Sequence, residues 1–442
     1  MTCECSPVHA TRRAVEVALR FGLTLGGGMR RIVGPVDLET PTAGLCAVAG
    51  PSGSGKSSLL AEIRRRSETF TDVTEVRVDP DATILDAVAP QRTLAEALSI
   101  LSACGLAEAP LWLRRYEELS EGEKFRARLA IAIGSDRPCG AALICDEFGT
   151  NLHRRAARAL AYNVRRLVRR ENLVLIVATC HDDVLEDLNP DVLVRLDADG
   201  RGTTVTAGRA ARAFSLRREL RIAPGLKRDY DALASRHYRT TEELGFVDKV
   251  FTMRDRSGEV LGVVVYAHGP LELALRNEAT GGRFIRRPDA LNRSVRMLRR
   301  LIIHPDVRGC GLGQHLVRMT MPRVGTEYVE CLAAMGDVNP VFERAGMRRI
   351  GQVPPSQSGA AAVKRLRELG VDPLAPDLAW KMGRSVEVRE IVTSVVTTWY
   401  QATTAGGERR VARQSPEFLA RTFRGLLDHR PVYYLWRREG TR

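Results

Sequence analysis

No run in this chain approaches the roughly 18 uninterrupted apolar residues that a helical membrane span needs. Residues 1–10 lack a basic stretch followed by an apolar core, so no secretory signal is expected and the cytoplasm is the expected compartment. The nine cysteines show no pairing rhythm, and their odd number argues against a complete disulfide framework. Cys3 and Cys5 with His9 match no zinc spacing, and a frayed terminus is expected there. No internal repeat is visible.

What is present is substantial. A chain of 442 residues with 44% hydrophobic residues suffices for two or three globular domains with full cores. The formal charge of +14 and pI near 9.7 suit a polyanionic partner, nucleic acid or an acidic surface. Solvated arginine-rich helix faces explain the same balance equally well.

Residues 45–48 read as a buried strand, 58–66 as a helix, and between them runs Gly50-Pro51-Ser52-Gly53-Ser54-Gly55-Lys56-Ser57. This is G-x-x-x-x-G-K-S in its strand–loop–helix setting. Glycines let the backbone wrap a phosphate, and the amides at the helix start, including that of Ser58, face it. Lys56 is expected to neutralise the β- and γ-phosphates of ATP, and Ser57 to ligate Mg2+. A second apolar run, 141–145, ends in Asp146-Glu147. Asp146 is expected to hold the metal through its water shell, and Glu147 to orient and polarise the attacking water.

Between these motifs stands Leu119-Ser120-Glu121-Gly122-Glu123, followed by a basic helix over 124–133. Here residues 15–210 resemble the ATP-binding-cassette (ABC) family, whose signature is L-S-G-G-Q. Ser120 and Gly122 match it; Glu121 and Glu123 depart. The resemblance implies a head-to-tail homodimer in which Ser120 and Gly122 close over the γ-phosphate of a nucleotide held by the partner. It also makes His181, after the strand 173–178, the switch histidine. Gln91 is the candidate lid glutamine, and Asn151-Leu152 with His153 the candidate dimer-contact loop. Phe21 is either the adenine-stacking aromatic or a core residue.

In the C-terminal half, strands are expected over 260–268 and 297–304. The second is followed by Pro305-Asp306-Val307-Arg308-Gly309-Cys310-Gly311-Leu312-Gly313 and a helix from Gln314 to about Met319. Gly311 and Gly313 permit close backbone approach, Arg308 adds charge, and the helix start favours a pyrophosphate. The pattern resembles R/Q-x-x-G-x-G/A of the GNAT acyltransferases, which implies acetyl-CoA or another acyl-CoA as donor. A strand over 328–333 precedes Asn339-Pro340-Val341-Phe342-Glu343-Arg344-Ala345-Gly346-Met347. Asn339, Glu343 and Gly346 fit the GNAT pattern, whereas Phe342 occupies a position where many members carry a proton-donating Tyr.

The pair His237-Tyr238 is similar to one in the Mom-type branch of GNAT-like proteins, which modify adenine in phage DNA. The whole architecture resembles a class of ABC-type ATPases fused to an acetyltransferase domain. His can accept a proton near pH 7 and Tyr can donate one; a capped helix end would use the same two residues structurally. Asp337 is a candidate for polar or metal work beside the cofactor, or a turn cap.

Eight arginines between Arg276 and Arg300, interrupted by Gly281, Gly282 and Pro288, read as a mobile basic loop suited to phosphate backbones. The expected fold is α/β throughout. An ABC-type P-loop ATPase domain (1–215) precedes a GNAT-like mixed-sheet domain (225–385), with a C-terminal extension (386–442) packed on it. The expected function is ATP-dependent acyl transfer to nucleic acid, DNA favoured over RNA, with no membrane partner. The alternatives are a small-molecule or protein N-acetyltransferase regulated by ATP, and a non-catalytic nucleic-acid-binding ATPase.

Overall fold

The computed structural model describes the chain except residues 1, 6–9, 26, 27, 32, 35, 37, 39, 40, 68, 138–140, 207–212, 236–243, 355, 404–410, 412, 429 and 440–442. His9, His237 and Tyr238 therefore lie outside the described residues. The chain divides into two compact units. One comprises Met1–Glu243, Lys249–Val264 and Arg300–Leu316; the other comprises Leu244–Asp248, Val265–Arg299 and Val317–Arg442. Residues 215–224, where the sequence suggested a boundary, lie inside the first unit.

The first unit is built on a six-stranded sheet in the order Phe70–Asp72, Ala142–Cys145, Val174–Thr179, Gly44–Ala49, Val192–Leu196, Gly202–Thr206. Only the last pair is antiparallel. Every residue of Gly44–Ala49, Ala142–Cys145 and Val174–Thr179 is buried, as a parallel sheet covered on both faces requires. The helix Lys56–Arg66 buries Leu59, Leu60 and Ile63 against Val48, Ile144, Ile176 and Val194. Each such side chain contributes about 1.5–3 kcal/mol by leaving water.

A seven-stranded mixed sheet has the order Arg348–Gln352, Val432–Arg437, Tyr328–Ala333, Val295–Ile303, Val260–Ala267, Val247–Arg254, Arg221–Gly225. Val295–Met297 pairs parallel with Tyr328–Glu330. Val432–Arg437 lies between two other strands and pairs antiparallel with both. Residues 386–442 are thus not one extension. Their last strand is internal to the sheet, and the helices Val386–Thr403 and Pro416–Asp428 join Gln357–Glu368 and Leu378–Arg384 around a separate core of Leu366, Val392, Val396 and Phe423.

The arginine-rich segment corrects an expectation. Instead of one basic loop, it forms the helices Ala274–Ala279 and Pro288–Ser294 and runs into the strand Val295–Ile303. Arg276 is fully buried and forms a bidentate pair with Glu330, Nε–Oε2 2.8 Å and Nη2–Oε1 2.6 Å. Arg283 pairs with Glu327 at 2.9 Å, and Arg296 with Asp248 at 2.8 Å. Arg286, Arg287 and Arg293 stay exposed.

Among the described residues, no helix is long and apolar enough to cross a membrane. Cys46, Cys104, Cys145, Cys310 and Cys331 are buried free thiols, and Cys180 is exposed. Burial pushes Cys46 and Cys104 up to about 12, which makes them poor nucleophiles at neutral pH.

Candidate active site

The parallel register places three strand ends side by side. Ala49 is level with Thr179, and Cys145 with Val177. The next residues of each strand, Gly50, Asp146-Glu147 and Cys180-His181, therefore emerge at one edge, the carboxyl edge where α/β sheets carry ligands. Thr179, fully buried, ties these ends together. Its carbonyl accepts from Gly50 N at 3.4 Å, and its hydroxyl donates to Phe148 O at 3.2 Å and accepts from His181 N at 3.2 Å. Phe148 N donates to Ala178 O at 2.8 Å. Sequence reasoning missed Thr179 because a threonine at a strand end carries no motif. Thr179→Val keeps the shape but leaves buried partners unsatisfied, a loss of about 1–3 kcal/mol, checked by the denaturant midpoint.

The phosphate loop is shaped as its glycines dictate. Gly53 (φ 80°) and Gly55 (φ 92°) adopt left-handed conformations. Lys56 Nζ folds back over the loop, donating to Gly50 O at 2.9 Å and Pro51 O at 2.7 Å. Ser52 and Ser57 are exposed, and Ser58 begins the first turn of the helix half-buried. Ser54 Oγ is buried with no hydrogen-bond partner among the described residues. A loop with an ammonium, a helix start and an orphaned hydroxyl fits a polyphosphate.

Asp146 Oδ1 accepts from Glu147 N at 2.8 Å, and Glu147 itself is exposed at φ 51°. A non-glycine residue in this region is uncommon and concentrates at functional sites. Beyond it, Thr150 N donates to Glu147 O at 3.1 Å and Leu152 N to Gly149 O at 3.3 Å, a tight turn into the helix Arg154–Arg170. Arg154 Nε donates to Asp183 Oδ2 at 2.9 Å, two residues past His181.

Ser120 caps the helix Glu121–Gly134 in a reciprocal capping box. Its hydroxyl and amide each donate to Glu123 Oε2 at 2.8 Å, so the departure at Glu123 has a local structural use. Gly122 backs onto the turn at Asn151 and Leu152; a Cβ there would lie 3.1 Å from Asn151 O. Gln91 is exposed in a turn. Phe21, 73% exposed at the end of the helix Arg12–Phe21, is no core residue.

In the glycine loop after Ile303, the helix runs Leu312–Val324, longer than expected. Gly311 and Gly313 stand at its start as anticipated, but Arg308 is occupied. Its Nε donates to Ile303 O at 2.8 Å and its Nη1 to Ala107 O at 2.7 Å. Both bonds turn the guanidinium toward backbone carbonyls, where the sequence suggested a charge beside a pyrophosphate. Beside this loop, Arg155 bonds Glu259 (2.6 Å) and Asp306 (3.0 Å) and lies 3.7 Å from Asp255. The Arg155 hydrogen bonds hold Glu259 below the usual carboxylate range. A depressed folded-state value gives stability that is full above the unfolded value of about 4.3 and fades as pH falls through the folded one. Acidification from pH 6 to 3 is therefore expected to destabilise the wild type more than Arg155→Gln, read as thermal midpoint against pH.

In the second unit, Asn339 is exposed, and Asp337 accepts from Arg349 at 2.6 Å and Gln352 at 2.5 Å. Phe342 is buried against Tyr434, ring centroids 5.6 Å apart. The Tyr434 hydroxyl donates to Gly336 O and Glu343 Oε1, each at 3.2 Å. Burial and the Glu343 carboxylate push this phenol up to about 12.

No protein-family model matches the chain, and no curated protein matches it. Among solved structures, the dimeric form of a bacterial ABC transporter cassette is similar at 16% identity and TM-score 0.32, covering 47% of this chain and 98% of that one. A dimeric post-hydrolysis state of an ATP-binding cassette bound to ADP and phosphate is similar at 17% identity and TM-score 0.32, covering 47% and 98%. A third ATP-binding cassette of an ABC transporter is similar at 14% identity and TM-score 0.30, covering 47% and 91%.

Proposed function

We propose that this chain is a Mg2+-dependent ATPase of the ABC type, working as a head-to-tail homodimer, whose C-terminal part transfers an acyl group from acyl-CoA to nucleic acid. The observation that supports the ATPase reading is the convergence of Gly50–Ser58, Asp146-Glu147 and His181 at one sheet edge. Lys56 would exchange its two loop carbonyls for phosphate oxygens. Ser57 and Asp146 would hold Mg2+, which neutralises charge on the β- and γ-phosphates. Glu147 would orient a water and draw off its proton as the oxygen attacks the γ-phosphorus in line and the bond to the β–γ bridging oxygen breaks, ADP leaving with that oxygen. His181, fixed through Thr179, would report the γ-phosphate. Ser120 and Gly122 of one protomer would close on the nucleotide of its partner.

For acyl transfer, the support is the strand–Gly311-Leu312-Gly313–helix arrangement, and Asn339 is proposed as a further cofactor contact on its motif match. His237 and Tyr238 are proposed to accept and donate the protons of the step, and Asp337 to take part through its pairing with Arg349. Incubation of the full chain with isotope-labelled acetyl-CoA, Mg-ATP and DNA or RNA tests this; label in the polymer supports it, and label in a small amine alone overturns it. The nucleic-acid surface is proposed at Arg286, Arg287 and Arg293. Changing all three to Gln should weaken binding across sequences and lower the slope of log K against log salt by about 0.9 per lost phosphate contact.

A second reading, a nucleic-acid-binding ATPase without transferase activity, is favoured by the engaged Arg308 and the hydroxyl-free Phe342. It predicts that polymer stimulates ATP turnover and that no label is transferred.

A further inference from the structure

The glycine loop 303–311 is held, within the first unit, directly by one helix that begins near Glu147 and indirectly, through Ala107, by another that Ser120 caps. The first is the helix Arg154–Arg170, which starts seven residues after Glu147. Along one flank it meets the loop repeatedly. Arg155 bonds Asp306 at 3.0 Å, Asn163 Nδ2 donates to Arg308 O at 3.0 Å, and Arg166 Nη1 donates to Gly309 O at 3.3 Å. Asn163 is 3% exposed, and Gly309 leaves it no slack: a Cβ there would lie 2.6 Å from Asn163 Nδ2. The same helix start bonds Asp183 through Arg154, beside the switch histidine.

The second element is the helix Glu121–Gly134, which Ser120 caps. Its Arg126 donates to Gly122 O at 3.0 Å and to Gly105 O at 2.8 Å. Two residues on, Ala107 O accepts from Arg308. Arg308 therefore bonds the loop to the segment that Arg126 ties to the helix Glu121–Gly134, and Asn163 bonds it to the helix that follows the turn after Glu147. The Asn163, Arg308 and Arg126 bonds are directional and part-buried, whereas those of Arg166 and Arg154 are exposed. A partly desolvated network of this kind favours discrete arrangements over gradual deformation. A shift of the helix Arg154–Arg170 must move the loop or break these hydrogen bonds.

We propose that loop 303–311 is a conformational reporter of the nucleotide site, set jointly through Asn163 and Arg308, so that ATP binding and the state of this loop bias each other. Coupling of this kind is reciprocal and typically amounts to 5–150-fold. The inference rests on the ATP-site reading above, though not on acyl transfer.

The test is amide hydrogen exchange of the full-length Glu147→Gln protein, followed in peptides covering 303–313 with and without Mg-ATP. Nucleotide binding is measured in the same samples with a fluorescent ATP analogue. The expected result is a change of at least about fivefold in exchange over 303–311 on ATP binding. Adding Arg155→Gln and Arg166→Gln, which leaves buried Asn163 in place, should reduce that response. Adding Asn163→Ala should reduce it further where the variant still binds nucleotide, the Arg308–Ala107 link remaining. Nucleotide binding with unchanged exchange over 303–311, or a response undiminished by these variants, overturns the coupling alone. Absence of nucleotide binding overturns the ATP-site reading and the coupling with it.

Discussion

Glu147→Gln is expected to lower ATP turnover about 10²–10⁴-fold while leaving ATP binding intact. The substitution keeps the size of the side chain and its hydrogen-bonding reach, and removes the group proposed to accept the proton of the attacking water. The surroundings are preserved because the position is fixed by backbone. The left-handed φ of 51°, the Phe148–Ala178 bond and the Thr179 hydroxyl set the tip without using the carboxylate. Phosphate release under saturating Mg-ATP measures turnover, and filter binding measures affinity. Because the signature of one protomer is proposed to close on its partner's nucleotide, the same variant should accumulate as an ATP-bound dimer in size-exclusion chromatography.

Breaking the buried Arg276–Glu330 pair is the second large effect. Both side chains are essentially inaccessible, at 1% and 0% exposure. Tyr433 donates to Glu330 Oε2 at 2.8 Å, and Arg276 also donates to Pro270 O at 2.9 Å and Leu271 O at 3.1 Å. The pair thus anchors the loop after Val260–Ala267 to the strands Tyr328–Ala333 and Val432–Arg437. Glu330→Gln or Arg276→Met leaves an uncompensated buried charge and is expected to cost about 3–5 kcal/mol. Replacing both partners together, Arg276→Met with Glu330→Leu, should cost less than the sum of the single changes, because no lone charge then remains. Urea denaturation of the single and double variants measures the difference.

Much of the first candidate site's geometry was legible because its residues are contiguous. The phosphate loop occupies consecutive residues, and the apolar runs around it are uninterrupted, as buried parallel strands are. The runs expected at 141–145 and 173–178 appear as Ala142–Cys145 and Val174–Thr179. Their convergence at one edge is a property of register, and only the sheet reveals it. Thr179 shows the same limit: its role comes from lying between two loops that the sequence keeps far apart.

The basic segment was misread for a related reason. The strand expected over 297–304 appears as Val295–Ile303, but Gly281, Gly282 and Pro288 suggested a loop before it where the chain forms the short helices Ala274–Ala279 and Pro288–Ser294. The carboxylates that absorb Arg276, Arg283 and Arg296 lie 44 to 54 residues away. Arg308 is the sharpest instance. Its motif suggests an open cation beside a pyrophosphate, yet its partner Ala107 is 201 residues distant in sequence. Charge in a sequence marks where a cation stands and leaves open whether a carboxylate or carbonyl already holds it.

The most direct test of the central claim is ATP turnover by the purified full chain with Mg2+, alone and with double-stranded DNA, single-stranded DNA or RNA, at two salt concentrations. The account predicts Mg2+-dependent hydrolysis that one polymer stimulates more strongly at low salt than at high salt. No hydrolysis under any of these conditions would contradict it.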